Sequence, residues 1–159
     1  MTRDEYLSAI NEFFYQGEVL GEAFFAYCVK HDRDPRQAGK WAMLLQLESE
    51  TKARLRPFLV SLGMSVAQDD VSARIAEITE GFAGKSWQQH MAEIDGITGF
   101  FLDKFRAIEA AAPDGPERDM ARAMVEHETA ISTFARRELA GNDVNSLADV
   151  RAQLRWPLP

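Results

Sequence analysis

The chain has 159 residues, enough for one globular domain with a sizeable core. Its 18 Lys and Arg against 25 Asp and Glu leave a formal charge of −7, which argues against a phosphate-neutralising surface and so against nucleic acid as a partner. Hydrophobic residues make up 46% and aromatics 10%, too apolar for a disordered chain, yet no stretch is apolar for long enough to imply a membrane span. The first residues, Met1 to Tyr6, lack the basic and apolar regions of a signal peptide. The single cysteine, Cys28, cannot form an internal disulfide. Both features fit a reducing, cytoplasmic setting.

The punctuation along the chain is helical. Thr2 and Glu5 make a capping box, and the first predicted helix runs from there without proline to about His31. Asp34-Pro35 opens a second helix that stops at Gly63, with a kink or early end expected at Pro57. Asp70 can cap a short helix carrying Val71, Ile75 and Ile78. Ser86 and Gln89 open a third long helix ending before Pro113. Gly115-Pro116 opens a fourth that ends at Gly141, and a last short helix holds Leu147, Val150 and Leu154. No segment alternates with the period of two that a half-buried strand needs. Short connections within the first and second pairs, and a long one between the pairs, imply two antiparallel hairpins in an all-α four-helix bundle.

At about 100° per residue, each helix shows an apolar stripe. Helix one carries Leu7, Ile10, Phe14, Gly21, Phe25 and Cys28, with Glu18 on the same arc and Glu22 at its boundary. In helix two, Glu48 lies in the middle of a stripe running from Trp41 to Leu62, and Glu50 points away. Helix three has Thr98 at the centre of its stripe. In helix four, Glu128 falls between Met124 and Ile131, with His127 toward the edge and Glu126 outward. An isolated buried carboxylate costs several kcal/mol, so converging acids require a proton, a cation or dense donors. Glu18, Glu48, Glu128 and His127 are therefore candidate metal ligands. Carboxylate and imidazole donors suit Fe, Mn or Zn. Lys52, Arg54 and Arg56 read as a solvated basic cluster, and His31 and His90 as helix-end or surface residues.

With these central acids, in Gly17-Glu18-Val19-Leu20-Gly21-Glu22 and Leu47-Glu48-Ser49-Glu50-Thr51, the chain resembles the ferritin-like superfamily over nearly its whole length. Di-iron members of that superfamily place one Glu on each of two helices and Glu-x-x-His on the other two. The resemblance implies a ferritin-like bundle with a helix in its long crossover and a short C-terminal helix. It puts Glu18, or Glu22, at the first-helix ligand, Glu48 at the second and Glu128 at the fourth. Thr98 stands where the third-helix Glu belongs, and Thr51 and Ile131 stand where the two His belong. The expected site is accordingly degenerate, holding one metal ion for redox chemistry. The alternative is a vestigial polar core in a non-catalytic bundle. The dense aromatics of helix one, Tyr6, Phe13, Phe14, Tyr15, Phe24, Phe25 and Tyr27, wrap two sides of it and point to a homo-oligomer.

Overall fold

The computed structural model describes residues 1–156, and their regular structure is entirely helical. In chain order the helices are α1 (Arg3–Ala9), a π-helical segment (Ile10–Tyr15), α2 (Gln16–His31), α3 (Pro35–Ser61), α4 (Ser72–Ile78), a 3₁₀ turn (Phe82–Gly84), α5 (Trp87–Ala111), α6 (Pro116–Leu139) and α7 (Ala148–Gln153). The four long helices pack pairwise, α4 lies in the long connection between the pairs, and α7 is the short C-terminal helix. Among the described residues no helix is long and apolar enough to cross a membrane.

Local chemistry sets the ends. At the start of α1 the Glu5 N–H donates to Thr2 Oγ1, and the Thr2 N–H donates to the Glu5 carboxylate. Ser86 and Gln89 do the same for α5, and Asp34 accepts from the Arg36 N–H at the start of α3. Each bond satisfies an amide that the helix cannot. The ends of α3 and α6 share another device. Gly63 and Gly141 adopt φ of 73° and 75°, which lets Met64 donate to the Leu59 carbonyl and Asn142 to the Arg137 carbonyl. Asp70 bonds the Ser72 N–H from just outside α4, so that helix begins one residue later than an Asp70 cap implies.

Two expectations are corrected here. Of the kink or early end expected at Pro57, the early end does not occur, since the helix continues to Ser61. Pro57 and Ala53, the residue whose carbonyl loses its amide partner, are both exposed, so water can serve that carbonyl. The first helix is not uniform either, because the π segment interrupts it. A π turn spends more residues per revolution and so rotates everything upstream. That rotation buries Tyr6, at 3% exposure, and leaves Leu7 only half-buried, the reverse of the uniform-helix expectation.

The contacts gather in two compact units. One contains Met1–Phe14 and Ser86–Gln153. Its centre is the α5–α6 hairpin, whose buried side chains include Met91, Ile94 and Phe105 on α5 and Met124, Ile131 and Phe134 on α6. Phe14 meets Phe105 edge-on at 5.0 Å, and the Trp87 indole donates to Glu138 at 2.7 Å. α7 packs on α6, helped by an Arg137–Asp149 ion pair at 2.9 Å.

The other unit contains Tyr15–Lys85 and residues 154–156. Here α2 packs on α3, with Phe25 stacked on Trp41 at 5.9 Å and the Trp41 indole donating to Asp32. The first part of the long connection is tied along α2. Tyr15 donates to the Val66 carbonyl at 2.8 Å, while Gln16 donates to Ala67 and accepts from the Asp69 amide.

Candidate metal centre

In the α2–α3 pair, Glu18 and Glu48 are buried, at 2% and 4% exposure. Both sit on stripes of large apolar side chains. Glu18 precedes Phe25 and Cys28 on α2, and Glu48 lies between Leu44 and Leu55 on α3. Glu22, one turn after Glu18, is only half-buried and is already engaged. Ser49 donates to its Oε1 at 2.6 Å, and the Lys52 ammonium pairs with its Oε2. Burial pushes the Glu22 carboxyl up, but the bonds from Lys52 and Ser49 outweigh it and hold that group below the ordinary carboxylate range. Of the two candidate acids on this helix, Glu18 is the one set in the core.

Lys52 corrects a sequence expectation. Arg54 and Arg56 are exposed as a basic surface would require, whereas Lys52 is 5% exposed. It stands four residues after Glu48, hence on the same stripe, and its stem packs while its ammonium reaches Glu22. That spacing was visible in the sequence. Its partner, 30 residues away in the chain, was not.

In the α5–α6 pair, His127 and Glu128 are buried near the middle of α6, at 2% and 7% exposure. His127 lies deeper than its edge position implied. Thr98, 2% exposed, donates its hydroxyl proton to the Asp95 carbonyl one turn back. Asp95 accepts from Arg136 Nε at 2.7 Å and Ser132 Oγ at 3.2 Å, an ion pair at the edge of the hairpin. Glu126 is exposed, as expected. His90 is not the surface residue expected but 6% exposed, because its four-residue spacing to Ile94 and Thr98 places it on the buried stripe. His31 is exposed, bonds the Tyr27 carbonyl through Nδ1 and stacks on the Tyr27 ring. Cys28 is fully buried, and burial raises its thiol pKa far above the ordinary value, which suits a core side chain rather than a nucleophile.

Glu18, Glu48 and His127 form a buried cluster in which each offers one ligand atom, and those atoms lie within 4.8 Å of one another. Ligand oxygens and nitrogens bound at about 2.0–2.2 Å to one ion are separated by up to about twice that length, so the cluster is close to the span of a single cation. Two carboxylates and one imidazole are a donor set that Fe, Mn and Zn accept. Three protein ligands also leave coordination positions open, as catalytic rather than purely structural zinc sites do. Glu128, the neighbour of His127 in the chain, is buried but is not one of the three. Comparison with protein-family models, curated proteins and solved structures finds no match to this chain.

Proposed function

We propose that this is a ferritin-like helical protein that holds one divalent transition metal, Fe, Mn or Zn, through Glu18, Glu48 and His127. Glu128 would lie in reserve beside the imidazole. The carrying observation is the buried trio of ligand atoms within 4.8 Å. Charge supports the reading. One divalent cation balances the charge of two carboxylates. When bound, the metal supplies Lewis acidity and, if it is iron or manganese, a redox couple. The chain's own part is to present two oxygens and one nitrogen and to keep them from bulk water, since all three side chains are at most 4% exposed. The short ligand set separates the site from a full di-iron centre and directs the reading to one ion.

Elemental analysis of the protein reconstituted with Fe(II), Mn(II) or Zn(II) tests this directly. The expected result is one ion per chain, with at least a tenfold loss of affinity in Glu48→Gln and in His127→Ala. A protein that retains no metal after reconstitution overturns the proposal. Self-association is a second reading. The observation favouring it is that Ile97 and Phe100, one turn apart on α5, remain 49% and 51% exposed. Sedimentation at high concentration that finds only monomer removes it.

A further inference from the structure

Gly21 lies on α2 between the acids Glu18 and Glu22. A Cβ at this position would stand 2.5 Å from Glu48 Oε2, 2.7 Å from its Cδ and 3.1 Å from its Oε1. Real Cβ atoms essentially never come within 3.0 Å of another heavy atom. The Glu48 carboxylate therefore rests on bare helix backbone, in the space that any other residue would fill. Backbone conformation does not call for glycine here, since Gly21 is not among the residues with positive φ. Glycine inside a helix is otherwise a cost relative to alanine. The helical glycines Gly39, Gly96 and Gly99 have nothing within 4 Å of the same built atom. At position 21 alone among these, the missing side chain has a carboxylate in its place.

We infer that Gly21 is a positioning residue for the metal centre, and that its lack of a Cβ sets where the Glu48 carboxylate stands. The inference rests on the reading of Glu48 as a ligand. The obstructing atoms are the tip of a flexible side chain, so an added methyl displaces the carboxylate rather than the helix. What is lost is ligand placement, which a site must hold to within about 0.5 Å, and not the fold.

The test uses Gly21→Ala, with Gly39→Ala as the matched control. Zn²⁺ affinity is measured by competition with a chromophoric chelator, and Co²⁺ serves as a visible-absorption probe of ligand geometry. Gly21→Ala is expected to bind Zn²⁺ at least tenfold more weakly and to show an altered Co²⁺ spectrum, with Gly39→Ala unchanged in both. Thermal melts of the metal-free proteins give a second arm. Gly39→Ala should raise Tm, whereas Gly21→Ala should raise it only in a Glu48→Ala background, where the carboxylate is gone. A Gly21→Ala protein with wild-type Zn²⁺ affinity and an unchanged Co²⁺ spectrum overturns the inference, as does an equal rise in Tm with Glu48 in place. Failure of the wild type to take up Zn²⁺, Fe(II) or Mn(II) sinks the metal reading and Gly21's role in it. Tight wild-type binding beside an unaffected Gly21→Ala sinks the Gly21 inference alone.

Discussion

Lys52 is a buried ammonium paired with Glu22, and the two are unequal in exposure, with side chains at 6% and 30%. Removing one partner of a buried pair costs more than the pair itself contributes, because a charge is left without compensation. Glu22→Gln should therefore destabilise the fold by about 2 kcal/mol at neutral pH, a figure reduced from the fully buried case because the carboxylate is partly solvated. Glu22→Gln with Lys52→Met should recover most of that loss in urea unfolding. The pair also gives stability a pH signature. The Glu22 carboxyl titrates lower in the folded chain than its ordinary value of 4.5. Its contribution is thus complete above the unfolded pKa and is lost as pH falls through the folded one. Acid unfolding curves of Glu22→Gln should be flatter than wild type below about pH 4.5. Equal slopes would show that Lys52 finds its compensation elsewhere.

At the scale of elements, most helix ends could be read from the sequence because their causes are local. Thr2 with Glu5, Asp34, Ser86 with Gln89, Gly63 and Gly141 all act on amides or carbonyls within a few residues. Ser86→Ala removes the bond to the Gln89 amide and should lower stability by about 1 kcal/mol, read as a shift of the urea midpoint at constant slope. Ser86→Asp should keep it. The π segment was not legible for the opposite reason. Ile10, Phe13, Phe14 and Tyr15 place apolar groups around much of the helix, so no empty face marks where the register slips. Lys52 and His90 show the same limit. Both read as solvated from residue type, but their burial depends on groups far away in the chain or on the depth of the stripe itself.

At the scale of the molecule, the pairing of long helices follows from connection lengths, whereas the all-helical class follows from caps and the lack of period-two alternation, and the short helix in the long connection from Asp70 and the apolar residues after it. Of the candidate site, burial of Glu48 and Glu128 was legible from helical spacing, while His127 lies deeper than its place at the edge of the stripe implies. Which acid of the first helix lies in the core was not, because that choice turns on Ser49 and Lys52 holding Glu22. A ligand that binds only the folded chain stabilises it by mass action, about 2.7 kcal/mol at a hundredfold excess over Kd. The proposed metal should accordingly raise Tm in wild type and, at the same concentration, raise that of His127→Ala by about half as much or less.

The π segment near the amino end also leaves a surplus residue that a single codon loss could erase. Removing Asn11 would return Ile10–Tyr15 to ordinary winding and leave α1 in its present register, because the π segment holds one residue more than the α-helical turns that cover the same rotation. Tyr6 would then stay buried and Leu7 half-buried, as they are now. Burial now pushes the Tyr6 phenol up to about 12. In the shortened chain, an alkaline ultraviolet titration should superimpose on the parent's, with that phenol still above the free value of about 10. A phenol that falls to the free value would mean that the shortened helix has rotated and carried the Tyr6 ring into water.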